Sequence, residues 1–509
     1  MASVAEFCDA VDNSTITVDV VGCSAYLAAT ETDEVLAGVM EGLNVFFLLF
    51  AGAAVFLMQA GFAMLCAGSV RQKNVKNIML KNLLDACGGA IGFYTVGYAF
   101  AYGTNDEGGK NFIGTSNFFI RNFTSGEDLI GWFFQFAFAA TAATIVAGTV
   151  AERCKMAAYL CYSVFLTGFV YPVVVHSIWS GDGFLTAFRD DPFRDVGNVD
   201  FAGSGVVHMT GGATALVAAI VLGPRKGRFY DEDGNPLETP ATFQAHSVAL
   251  QILGTFILWF GWFGFNPGSA LAIDNSESAA TAALCAVTTT LAAACGCATA
   301  MFFDSIMDAR ATGEVSYDLT MAMNGCLGGL VGITAGCSVV QPWAACIIGV
   351  IAGLVYYGFS KLLIALKIDD AVDAVPVHFA NGMWGVIAVG FFADPTLMAI
   401  AGYNEEKGGV FYGVGGDLLI VQIVAVLWIV GWVAAIMTPF FLVLNALGMF
   451  RVDALEEEVG LDISHHRGSA YDLTAPKKED VEELMEVRAS RHGKVEVPKE
   501  VAQAAETEA

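Results

Sequence analysis

Two histidines stand at equivalent places in two apolar stretches. His208 closes the run Asp200-Phe-Ala-Gly-Ser-Gly-Val-Val-His208, and His378 stands eight positions after Asp370, again just behind a valine. An imidazole donates through one ring nitrogen, accepts through the other and exchanges protons near neutral pH, so a pair of them suits proton relay. A lone histidine in such a run is often a core residue hydrogen-bonded across helices. Two placed alike in membrane-length segments ask for more, because polar groups inside a bilayer are costly and usually functional. No zinc-like Cys/His spacing, nucleophile elbow or phosphate loop accompanies them, so neither an enzyme nor a cofactor or metal is expected.

The elements that carry these residues are membrane helices. Of 509 residues, 55% are hydrophobic and 15% charged. Apolar stretches of about 20 residues recur, each long enough to cross a hydrocarbon core of roughly 30 Å as a helix. They are continuous rather than alternating, so the expected class is an all-α polytopic bundle, not a barrel. Eleven spans are read near 42–66, 78–102, 130–151, 156–178, 203–222, 244–265, 279–302, 319–337, 343–364, 374–393 and 412–447. This divides the chain into an exterior segment 1–41, a transmembrane domain 42–447 and a cytoplasmic tail 448–509. Small residues such as Gly211, Gly212 and Ala213 let backbones approach closely.

Basic residues orient the bundle. Arg71, Lys73, Lys76, Arg153, Lys155, Arg225, Lys226, Arg228, Arg310 and Lys367 lie in or beside alternate loops, which the positive-inside rule makes cytoplasmic. The N-terminus is then outside and the C-terminus inside. Sequons at Asn13 and Asn122 both fall on the exterior side and are candidate glycosylation sites. Cys8 and Cys23 are exterior too, where disulfides persist, and pairing within a chain or between subunits both remain open. The net charge of −26 is concentrated at the ends: residues 1–40 hold seven acids and no Lys or Arg. Acidic ends give no footprint for nucleic acid.

Simple arithmetic brings the histidines together. One segment enters from outside with Asp200 at its mouth as an N-cap; the other enters from inside past Asp370 and Asp373. At about 1.5 Å per residue each histidine lies about 12 Å in, leaving about 6 Å between them along the membrane normal. That is the pattern of an inverted repeat, spans 1–5 against 6–10, with an eleventh helix outside it.

The motifs resemble those of the ammonium transporter/methylammonium permease/Rhesus superfamily, most of all its plant and algal ammonium transporters. The resemblance rests on Gly61-Phe-Ala-Met-Leu-Cys-Ala-Gly-Ser-Val70, Phe136-Ala-Phe-Ala-Ala-Thr-Ala-Ala-Thr144, Ala151-Glu-Arg153, Asp200–His208, Gly261-Trp-Phe-Gly-Phe-Asn-Pro-Gly-Ser269 and Asp369–His378. It implies a homotrimer in the cell membrane with one pore per subunit. By motif, Trp179, Ser269 and Phe138 would recruit ammonium or methylammonium from outside, with Asp200 near them. Phe138 and Phe265 would be stacked rings closing the pore, and His208 and His378 the pore pair. An aromatic face attracts a cation by about 0.5–2 kcal/mol, and a hydroxyl accepts an N–H bond. Passing a bare cation through an apolar constriction costs far more than that, so the ion would deprotonate, ammonia would pass and the proton would follow separately. An electroneutral ammonia channel and an ammonium sensor are the competing readings.

The tail stretch Leu455-Glu-Glu-Glu-Val-Gly-Leu-Asp-Ile-Ser464 resembles the family's regulatory segment, which contacts a neighbouring subunit. It contains Gly460, and Ser464 stands where relatives carry a phosphorylated threonine, which implies a kinase as partner. Phosphate there would add about −1.5 to −2 charges beside Asp462 and undock the tail.

Overall fold

The computed structural model describes residues 20–104 and 111–471, with backbone alone for 20–31 and for position 34. Asn13 and Cys8 therefore lie outside the described residues, as does the side chain of Cys23. Eleven helical segments organise the chain: α1 (Val20–Ser69), α2 (Val75–Gly92), α3 (Gly126–Thr149), α4 (Met156–Trp179), α5 (Ser204–Leu222) and α6 (Val248–Phe265) come first. α7 (Ser276–Thr312), α8 (Leu319–Thr334), α9 (Pro342–Ala365), α10 (Val375–Phe392) and α11 (Asp417–Ala446) follow. β pairing among the described residues is limited to isolated bridges.

Among the described residues nine helices are long and apolar enough to cross a membrane by length and composition. α8 is apolar but has 16 residues. α2 carries Lys76, Lys81 and Asp85, and runs on through a π-helical turn, Phe93–Gly97, into Tyr98–Tyr102. Helix ends follow local chemistry. Ser125, Ser247 and Asn275 accept from the third backbone N–H beyond them and so cap α3, α6 and α7. α7 outruns the expected 302 because its polar end faces solvent, and it stops only at Gly313, whose φ is +81°. At the other end of the chain, α1 begins well before residue 42.

Two groups of helices meet around one core. α1 packs on α6 and α3, while α7 packs on α8 and α9. α5 and α10 lie between them, each buried along most of its length, and α11 closes against α5 and α10.

Candidate functional site

α5 and α10 open alike. Each begins with a π-helical turn, Ser204–Met209 and Val375–Ala380, and the histidine is the fifth residue of the first turn and the fourth of the second. An aspartate pins each turn. The Asp200 carboxylate accepts from the N–H groups of Gly203 (3.1 Å), Gly205 (2.9 Å) and Val206 (2.8 Å). The Asp370 carboxylate accepts from Val375 N–H at 2.7 Å. Burial pushes both carboxyls up to about 6, against the pull of those N–H groups and, at Asp370, helped by Asp373. The two openings repeat at an offset of 170 residues, the separation of the histidines themselves.

The same offset relates Gly212 to Gly382, and the helices cross there. A Cβ on Gly212 would strike the backbone of Phe379, and one on Gly382 would strike that of Met209. Only glycine at both positions lets the openings meet. His208 Nδ1 and His378 Nδ1 are consequently 3.2 Å apart, with the rings 5.3 Å between centroids and 20° from parallel. One ring donates and the other accepts. Both are buried, and His208 Nε2 has no hydrogen-bond partner.

Aromatic rings cover the pair on one side. His208 packs against both Trp262 and Phe265, whose rings also meet each other, and Phe265 stacks on Phe138 at 4.1 Å, both phenylalanines being buried. Beyond this lid lies a cavity of about 220 Å³ lined by Phe138, Trp179, Ser269, Gln135, Tyr102 and Tyr403, among others. Trp179 stands edge-on to Phe138 at 6.1 Å. The Ser269 hydroxyl donates to the Phe265 carbonyl at 2.8 Å, leaving its lone pairs for another donor. Asp200 does not line this cavity. Its carboxylate is buried and committed to backbone N–H groups, and only its carbonyl reaches the site's wall, accepting from Trp179 Nε1 at 2.7 Å. Its geometry is that of a cap rather than a recruiting charge.

On the other side His378 faces Phe62, at 5.9 Å between centroids, and a small apolar space that also borders Cys66, Thr144 and Val377. Further out lies a larger cavity of about 570 Å³, with Arg225, Arg228, Asp369, Asp370 and Asp373 in its walls. Asp373 accepts from Tyr356 and Ser360, each at 2.9 Å, so like Asp370 it holds structure at a helix mouth. Beside them Arg225 grips Asp369 through Nε (2.8 Å) and Nη2 (2.9 Å) and reaches Glu152 at 3.1 Å. Burial would raise the Asp369 and Glu152 carboxyls. Arg225 outweighs it at Asp369, and Arg225 with Arg71 does so at Glu152, so both sit below the usual carboxylate range. Among the described residues no cluster of three or more His, Cys, Asp or Glu side chains is arranged to hold a metal ion.

The model of the Ammonium Transporter Family matches residues 45–471. The chain belongs to the ammonium transporter family. A Solanum lycopersicum protein named ammonium transporter 1 member 3 is 43% identical over 452 residues, 86% of this chain and 95% of that one. Ammonium transporter 1 member 1 of Arabidopsis thaliana is 44% identical, covering 80% and 81%. Among solved structures, one described as a sensor Amt protein is 32% identical with a TM-score of 0.73, covering 84% of this chain and 99% of its own. Mep2 of Saccharomyces cerevisiae is 27% identical with a TM-score of 0.70, covering 81% and 88%.

The segment after the last long helix packs against the start of α2. Two short helices, α12 (Ala454–Val459) and α13 (Leu461–His466), meet at Gly460, whose φ of +107° seats it against Lys73. The Asp462 carboxylate accepts from the N–H groups of Lys76 (3.0 Å) and Asn77 (2.9 Å), and Asn74 accepts from Leu461 N–H at 2.9 Å. Buried Glu457 accepts from Lys226 N–H and from Arg451. Ser464 is buried, its hydroxyl donating to the Gly460 carbonyl at 3.0 Å. Asn122 is exposed in a turn with φ of +69°. Sequence reasoning left out Gln135, Tyr102, Tyr403 and Trp262; Gln135 adjoins, and Trp262 falls within, motifs quoted above, so proximity alone pointed to them.

Proposed function

We propose that this protein is an ammonium transporter that recruits NH4+ at the outer cavity, deprotonates it, and passes NH3 through an apolar pore while the proton moves separately. The observation that carries this reading is the histidine pair, 3.2 Å apart and buried beneath the stacked Phe138–Phe265 lid. A cation stripped of water gains from the Trp179 and Phe138 rings and from Ser269, but finds no compensating charge at the lid. Neutral ammonia passes where the ion does not, and the imidazoles offer the proton a chain of donor and acceptor. Methylammonium is the natural second substrate.

The fold in this reading has eleven spans: the nine long apolar helices with α2 and α8 completing two five-helix halves, and α11 outside the repeat. The 170-residue register between the two histidine openings supports the inverted halves. Exposed Phe46 and Phe50 on α1, with Phe256 and Phe260 on α6, give apolar surface for lipid or for neighbours in a homotrimer. The chain sits in the plasma membrane with its N-terminus outside, Asn13 and Asn122 open to glycosylation, Cys8 and Cys23 in an oxidising space, and its tail inside, within reach of a kinase acting on Ser464.

Voltage-clamp recording with ammonium across a pH series tests the proposal. A saturable inward current is expected, and undiminished current in His208→Ala removes the relay role. Ammonia flux without current selects the electroneutral channel. A sensor draws support from the match to the sensor Amt structure; ammonium binding without flux selects it.

A further inference from the structure

The outer cavity contains two polar groups with no assigned task. Gln135 lines it from α3, and its Oε1 is buried without a hydrogen-bond partner. Tyr102 lines it from the end of the α2 extension, and its hydroxyl is likewise buried and unpartnered. Buried polar atoms are ordinarily satisfied, and the exceptions in a cavity wall point to something that satisfies them. Two other polar groups there are already engaged: the Trp179 N–H is given to the Asp200 carbonyl, and the Ser269 proton to the Phe265 carbonyl. What Trp179 offers the cavity is its ring, and what Ser269 offers is an acceptor.

We propose that Gln135 and Tyr102 are specificity-determining residues of the outer site, accepting N–H bonds from ammonium alongside Ser269. The inference rests on the ammonium reading above. A tetrahedral ion with four N–H donors uses separate acceptors and still presents one face to the Phe138 and Trp179 rings. K+ is of similar size but has no protons, and it needs a fuller oxygen shell than three spaced acceptors supply. The arrangement therefore favours a directional donor over a spherical ion.

The test measures half-saturation, maximal current and competition by K+ in Gln135→Leu and Tyr102→Phe, at matched surface expression. Tyr102→Phe removes a single oxygen and keeps the ring, so it remains informative if Gln135→Leu folds poorly. Each variant is expected to raise the half-saturating ammonium concentration about tenfold, the effect of one hydrogen bond to a charged group, with maximal current within about twofold. Preference for ammonium over K+ should fall by a similar factor, while Gln135→Glu should lower the half-saturating concentration. Unchanged half-saturation in both variants, or lower maximal current alone, overturns the proposal. Calorimetric titration of the purified full-length protein with ammonium reads the same ratio without transport. A wild type that binds but does not conduct would then refute the transport reading and leave this one standing.

Discussion

Gly382→Ala separates the histidines without touching either. The new methyl carbon would lie 2.6 Å from the Ser204 carbonyl oxygen and 3.0 Å from Met209 N, both backbone atoms that no rotamer change can move. Ordinary contact starts near 3.4 Å, so α10 must retreat from α5 by 3.4 − 2.6, or about 0.8 Å. Added to the present 3.2 Å, that puts the two Nδ1 atoms at about 4.0 Å, beyond hydrogen-bond reach. Overpacking of this kind costs about 1–3 kcal/mol, and alanine's better helix propensity returns less than about 1 kcal/mol of it. The expected result is protein that still folds, with a melting temperature a few degrees lower in detergent, and an ammonium current reduced at least tenfold. Ammonium-evoked current and thermal unfolding are measured on the same preparation. Full current with a lowered melting temperature would refute the reasoning, because the helices would have moved apart without consequence for transport.

Two further outcomes follow from the buried ion pairs and the segment packed beside them. Asp369 and Glu152 titrate below their unfolded range, so the unfolded chain takes up protons first as pH falls. The stability their ion pairs contribute is complete above the unfolded carboxylate range, near pH 4, and is lost as pH drops through the folded values. Thermal unfolding from pH 7 down to pH 3 should show it, and Asp369→Asn should flatten the acid limb. Ser464→Asp places a second negative charge in a buried position beside Asp462. The tail should undock, increasing protease cleavage between Val452 and Tyr471 and lowering flux severalfold; wild-type flux would count against the switch.

The histidine pairing was legible because it depends on two quantities a sequence carries: position along a helix and direction of travel. Arithmetic placed the rings about 6 Å apart in depth, and the small residues around Gly212 signalled close backbone approach. What brought them into contact was less visible. A π-helical turn has no residue signature, so the extra residue in each opening and the aspartate's hold on two successive N–H groups at Gly205 and Val206 emerged only in three dimensions. The loop charges carried more than their sign showed. Arg153 and Arg225 serve in the sequence only to orient the bundle, and Glu152 and Asp369 stand there only within motifs, yet all four are buried in one network. Sequence supplies a charge's sign; burial depends on partners far along the chain. Gln135 escaped notice for a similar reason, because a glutamine among phenylalanines has no meaning until the cavity beside it exists.

That network has a consequence for how the protein is made. Arg153 donates to the Asp369 carbonyl across 216 residues, and Arg225 holds the Asp369 carboxylate across 144. Arg451 and Glu457 then add the tail to the same cluster. While the ribosome is still working through the middle of the chain, Arg153 and Arg225 have no Asp369 to meet. Charges that end up buried must wait, exposed, until the second half is inserted. A chain stopped short of Asp369 therefore leaves the Arg153 guanidinium without its Asp369 partners while Arg225 keeps Glu152, and closure of this mouth waits for the second half.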